Sequence, residues 1–107
     1  MAGSRIEKLR GFIAARPDDP FPRYALALEH RNGGEHAEAW RVFEELLAAH
    51  PDYRAAYLHA GHALVSLGRV SEARDLWRKG VEICGKHGDS HAQGELESAL
   101  AATPAAG

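Results

Sequence analysis

The stretch AARPDDP at residues 14–20 returns, little changed, as AAHPDYR at residues 48–54. The interval is 34 residues. A self-similarity period of about 20 to 50 residues marks stacked supersecondary units, so the echo constrains the fold more than any other feature. Shifting the whole chain by 34 extends it. Pro17 falls on Pro51, Asp18 on Asp52, Leu26 on Ala60 and Ala27 on Gly61. Further on, Gly34 falls on Gly68, Ala39 on Ala73, Phe43 on Trp77 and Leu47 on Val81. Small residues meet small ones, aromatics meet aromatics, and turn residues meet turn residues.

Helical periodicity fills the space between the echoes. Ser4 to Arg16 places Ile6, Leu9, Phe12 and Ile13 on one face, and Pro17 ends that segment because the residue before a proline avoids the helical region. Asp19 reads as an N-cap with Pro20 at the first helical position, and FPRYALALEHRN runs from there to Gly33-Gly34. AEAWRVFEELLAA carries Ala39, Val42, Phe43, Leu46 and Leu47 on one stripe. Pro51 closes it, and Asp52 is the expected cap of YRAAYLHAGHALVSL, which reaches Gly68. SEARDLWRKGVEIC has Ala73, Leu76, Trp77 and Val81 as its stripe. After Gly85 and Gly88, Asp89 caps a last segment, SHAQGELESALAA, and the tail TPAAG has nothing to hold it down. No stretch alternates with period 2 over a useful length. The expectation is an all-α chain of six helices, with connections of about 2 to 5 residues that make successive helices antiparallel neighbours.

The totals narrow the function classes. At 107 residues the chain suits one domain with a small core. A formal net charge of −2 offers no basic face for nucleic acid. No apolar run approaches the roughly 18 residues of a membrane span, and MAGSRIEKLRGF carries charges where a signal peptide is apolar. One cysteine rules out an internal disulfide framework. A cytoplasmic location is the simplest expectation.

The repeated unit resembles the tetratricopeptide repeat, a 34-residue helix–turn–helix whose pattern runs Trp-x2-Leu-Gly-x2-Tyr, then Ala-x3-Phe, then Pro. Tyr57, Ala60, Gly61, Leu64, Ala73 and Trp77 follow it in order, as do Leu26, Ala27, Ala39, Phe43 and Pro51. Arg23 and His30 stand where the pattern has large aromatics, and Gly85 replaces the closing proline of the second copy. The resemblance, to a small bacterial-type member, implies a right-handed α-solenoid of antiparallel helix pairs. Its expected parts are an N-terminal half-unit helix at 4–16, repeats at 20–51 and 53–87, and a capping helix at 89–102. These make a single domain over 1–103, with a disordered tail at 104–107. Ala27 and Gly61 would let helix backbones approach closely, as would Ala39 and Ala73. Phe43 and Trp77 would fill the space between consecutive pairs.

Residues that could carry chemistry have simpler readings. His59 and His62 share a helix face, but no third metal ligand lies between residues 55 and 66. Cys84, His87 and His91 form C-x2-H-x3-H, one knuckle where a zinc site needs two. Cys84 reads as a small apolar residue near the core edge. Glu38, Glu44 and Glu45 read as the solvated face of their helix. No nucleophile elbow, phosphate loop or metalloprotease motif is present. The expectation is a non-enzyme with no cofactor and no metal.

In the resembled family, the first helices of each pair line a concave groove, and that implication directs attention to one surface. The groove candidates are Tyr24, Leu28 and Arg31, with Asn32 at the edge, then Leu58, His62 and Val65, and Leu96 with Ala92 in the last helix. Leu28, Leu58 and Val65 are apolar without an evident core role, which suits a peptide or helix of another protein. The alternative is self-association, a homodimer whose grooves or ends cover each other. Repeat domains that grip a C-terminal carboxylate use Lys, Arg and Asn at groove positions. Here Tyr24, Leu28, His59 and Gln93 occupy them, so that ligand is not expected.

Overall fold

The computed structural model describes residues 2–105, and within them the chain forms six α-helices and no strand. In order these are α1 (Ala2–Ala15), α2 (Pro20–Asn32), α3 (His36–Ala49), α4 (Ala55–Ser66), α5 (Val70–His87) and α6 (Ser90–Ala102). The all-α repeat architecture expected from the 34-residue echo is the architecture observed. Part of the tail expectation, residues 106 and 107, lies outside the described residues.

The helix ends show how local chemistry sets boundaries. The last bond of the first helix runs from Arg16 N–H to Phe12 C=O at 2.9 Å, just before Pro17. The Asp19 carboxylate accepts from Phe21 N–H at 3.1 Å and Pro20 opens α2, an N-cap followed by a pre-organised first residue. Asp52 does not repeat this role, contrary to expectation. Under the 34-residue shift the capping Asp19 corresponds to Tyr53, and Pro20 to Arg54. The second copy therefore starts α4 three residues beyond Asp52, with turn bonds from Ala56 to Tyr53 and from Tyr57 to Arg54. The Asp52 carboxylate stands 3.5 Å from His87 Nε2 instead.

The turns inside the helix pairs repeat with the sequence. Gly34 has φ +79 and Gly68 has φ +77. Glu35 N–H reaches His30 C=O at 2.9 Å, and Arg69 N–H reaches Leu64 C=O at 2.8 Å. Gly34 N–H bonds to Arg31 C=O at 3.0 Å, and Gly68 N–H to Val65 C=O at 2.9 Å. Each is the six-to-one closure of a helix C-terminus, with glycine in the left-handed position where a Cβ is disfavoured. A third such stop, at Gly88, lets α5 run through Gly85 to His87, three residues beyond the end expected from sequence.

Backbone contacts gather into two compact units, one ending at Pro51 and the other beginning at Asp52. In the first unit α1 packs on α2, and α2 on α3. Its core holds Leu26, Ala27 and His30 from α2 against the expected α3 stripe of Ala39, Val42, Phe43, Leu46 and Leu47. His30 occupies the place that Leu64 has in the second copy. Its Nδ1 lies 2.9 Å from a Glu35 carboxylate oxygen, which satisfies one ring nitrogen of a 4% exposed side chain. Phe12 departs from expectation: it is 59% exposed. Because α1 packs on one helix of its unit, it buries only the narrow stripe of Ile6, Leu9 and Ile13, and that only halfway. Phe12 lies on its flank.

In the second unit α4, α5 and α6 all pack on one another. Trp77 is fully buried. The indole lies over Gly61 within its own pair, where a Cβ built on Gly61 would stand 1.9 Å from Trp77 Nε1. Gly61 is therefore room for a ring rather than for a second backbone. Gly80 plays the close-approach role. A Cβ there would stand 2.8 Å from Leu96 Cδ1 and 2.9 Å from Tyr57 Cβ, where α4, α5 and α6 meet. Leu76 and Val81 are half-buried, so the working stripe of α5 is Ala73, Trp77, Gly80 and Cys84. Cys84 has no exposure at all and is a core residue, not an edge one. The α6 C-terminus is held by the Arg74 guanidinium, which donates to Leu100 C=O at 2.8 Å and to Thr103 C=O.

Candidate partner-binding face

Helix α4 reads AAYLHAGHALVS and contains no charged side chain. Its buried stripe is Ala56, Tyr57, Ala60, Gly61, Ala63 and Leu64. Leu58, His62 and Val65 are spaced four and three apart, so they lie on another stripe, and each is half-exposed. A solvated helix face ordinarily carries charge. This one presents two aliphatic side chains and an imidazole.

Two interactions position that stripe. Trp77 Nε1 donates to Leu58 C=O at 3.2 Å. The His62 ring meets the Trp77 indole edge-on, with centroids 5.2 Å apart and planes at 68°. The buried indole thus holds both the backbone and the imidazole of the exposed stripe from beneath. Sequence reading placed Trp77 in the core and missed this second role, because residue spacing carries no sign of which ring edge faces which helix.

In the first unit, Tyr24, Leu28 and Arg31 share one stripe of α2 and are half-exposed, while Asn32, the last residue of the helix, is exposed. They are the 34-residue counterparts of Leu58, His62 and Val65, with Asn32 beside them. The Tyr24 ring rests on the buried Phe43, centroids 6.5 Å apart. Leu96, also expected on the exposed face, is 1% exposed and packs onto Gly80. It belongs to the core of its unit, because glycine at 80 draws α6 close enough to bury it. Ala92 is half-buried.

The histidines and the cysteine are dispersed. Cys84 is buried, His87 turns to Asp52 at 3.5 Å, and His91 to Glu95 at 3.6 Å. Among the described residues no three His, Cys, Asp or Glu side chains stand together as metal ligands would. Burial pushes the Cys84 thiol up, and the Asp89 carboxylate adds to the shift, so little thiolate is present near neutrality. The Tyr57 hydroxyl is raised by burial too, with smaller contributions from Asp52 and Cys84. Glu38, Glu44 and Glu45 are exposed, and Arg41 lies between Glu38 at 3.0 Å and Glu45 at 2.7 Å. No helix among the described residues is long and apolar enough to cross a membrane.

Comparison with known proteins agrees with this arrangement. A family profile described as tetratricopeptide repeat matches residues 33–82. The TPR repeat-containing protein PA0015 of Pseudomonas aeruginosa is 26% identical over 91 residues, which span 85% of this chain and 87% of that protein. The crystal structure of a tetratricopeptide repeat domain protein from Salinibacter ruber superposes with a TM-score of 0.75 at 36% identity, covering 79% of this chain and 94% of that one. A solution structure of a tetratricopeptide repeat domain from the same organism gives 0.76 at 37% identity, covering 81% and 88%. On the repeated glycine turns, the small-residue and aromatic positions of both helix pairs, and these likenesses, the chain belongs to the tetratricopeptide repeat family of helical scaffolds for protein–protein interaction.

Proposed function

We propose that this protein is a non-catalytic, cytoplasmic interaction module that holds a peptide or helix of another protein. The contact is the open stripe of α4, with Leu58, His62 and Val65; its repeat counterpart on α2, with Tyr24, Leu28, Arg31 and Asn32, offers a contact of its own. One observation carries the reading: α4 has no charged residue although a stripe of it is half-exposed. Apolar area removed from water on docking contributes about 25 cal/mol per Å² before the costs of association. Arg31 adds a charge at the end of the α2 stripe. The test compares wild-type protein with a Leu58→Glu/Val65→Glu variant of equal helix content, in capture from a lysate of the source organism. A protein retained by the wild type and lost by the variant is the expected result. Identical captures would refute the assignment of the face.

A second reading is favoured by a different observation. Phe12 and Phe21 are 59% and 61% exposed, large apolar side chains left to solvent in the first unit. A homodimer would cover them. Light scattering over a range of concentrations distinguishes the two readings. A mass that doubles, and that returns to the monomer value in Phe12→Ser/Phe21→Ser, supports self-association, whereas a monomer mass throughout removes it.

A further inference from the structure

The first unit has a recess that plays no part in the proposed face. Among the described residues α1 packs on α2 but makes no close backbone contact with α3, and a cleft of about 190 Å³ opens where the three helices converge. Its floor is aliphatic: the half-buried Ile13 and the buried Leu26 and Val42. Its rim is cationic: Arg10 from α1, Arg23 from α2 and Arg41 from α3, with Glu45 the single carboxylate in the lining.

The three guanidinia are not equivalent. Arg41 is held between Glu38 and Glu45, so its one positive charge is more than offset and Glu45 is engaged. Arg23 donates one N–H to Pro17 C=O and has no carboxylate within ion-pair distance among the described residues. Arg10 has no carboxylate within ion-pair distance among the described residues; Glu38 feels it only as a distant charge. Two guanidinium groups with no ion pair among the described residues, on neighbouring helices, thus line a cleft with an aliphatic floor.

We infer that this cleft is a second binding site, for an acidic peptide segment that presents a carboxylate side chain next to an aliphatic one. Guanidinium groups match carboxylates in paired, charge-assisted hydrogen bonds, and Arg10 and Arg23 have the free donors. The adjoining aliphatic side chain covers Ile13, Leu26 and Val42. An extended polyanion is disfavoured by the formal net charge of −2 on the chain as a whole. A bare phosphate would leave the aliphatic floor unused. The site shares no residue with the α4 stripe, so it stands or falls separately from the function proposed above.

The test uses the isotope-labelled 107-residue chain and an end-capped hexapeptide alternating glutamate and leucine, followed by nuclear magnetic resonance. Amides around residues 10–13, 23–26 and 41–45 should shift in a saturable manner. Binding should weaken about tenfold or more in Arg10→Gln/Arg23→Gln. It should stay unchanged in Leu58→Glu/Val65→Glu. A glutamine-for-glutamate peptide that bound equally well would overturn the inference, because the charges would then be idle. Equal shifts with inorganic phosphate alone would reassign the cleft to small anions. Shifts confined to residues 58–65, or no shifts at millimolar peptide, would remove the site.

Discussion

Replacing Gly61 by alanine is the sharpest test of how the second unit is built. The new Cβ would fall 1.9 Å from Trp77 Nε1, 2.3 Å from Cε2 and 2.7 Å from Cδ1. Carbon contacts settle near 3.5 to 4.0 Å, so the indole must move or the helices must part. Overpacking a filled core costs about 1–3 kcal/mol and sometimes more. The displaced indole also loses its bond to Leu58 C=O at 3.2 Å, a net loss of about 1 kcal/mol. Against this, alanine gains about 1 kcal/mol over glycine inside a helix. The balance is a destabilisation of about 1–3 kcal/mol. For a chain of this size that lowers Tm by about 4–12 °C, at about 4 °C per kcal/mol. Urea and thermal unfolding followed by circular dichroism would measure it. Gly94, with nothing within 4 Å of its would-be Cβ, supplies the control: Gly94→Ala should raise stability by about 0.5–1 kcal/mol. On a Trp77→Leu background, where the clashing ring atoms are absent, Gly61→Ala should lose most of its effect. A Gly61→Ala protein as stable as the wild type would refute the packing argument. So would an equal loss on both backgrounds.

Other outcomes follow from the same geometry. Gly34→Ala and Gly68→Ala should each cost about 1–2 kcal/mol, and nearly the same amount, because both turns hold a left-handed φ; unequal urea midpoints would show that the two turns do not share a mechanism. The Asp89 carboxylate is held below its usual range first by the Arg54 hydrogen bond at 2.9 Å and then by Ala92 N–H. Its contribution is therefore complete above the unfolded carboxylate pKa of about 3.9 and disappears as pH falls through the lower folded value. Asp89→Asn should be less stable than wild type at pH 7, with the gap closing in acid; a pH-independent gap would contradict this. Buried Cys84 should react with an exposed-thiol reagent only as fast as the chain opens, and faster in mild urea, so immediate labelling of the native protein would be contrary evidence.

Much of the fold was legible in the order of residues because its causes are local or periodic. Asp19, Pro17 and Gly34 act within a few residues, and each boundary they imply is present. The α3 stripe from Ala39 to Leu47 follows from helix geometry alone. Errors arose where the second copy departs from the first by one register step. Asp52 looked like Asp19, but Tyr53 and Arg54 occupy the positions that make a cap. Among the candidate face residues, Leu58, His62 and Val65 are half-exposed, whereas Leu96 is buried, and nothing in its neighbours Glu95 and Glu97 signals that.

What the sequence determined by itself is the repeat, its helices and its turns, since a 34-residue echo of proline, glycine, alanine and aromatic positions acts through spacing along the chain. What the tertiary structure alone decided is which side chain meets which. Gly61 accommodates the Trp77 ring, Gly80 draws in Leu96, Phe12 is left outside, and Arg10, Arg23 and Arg41 gather around one cleft. These pairings join residues 13 to 31 positions apart, and their distances depend on how helices cross. Crossing geometry depends on the bulk of every side chain between two helices at once, a property of packing that no local pattern encodes.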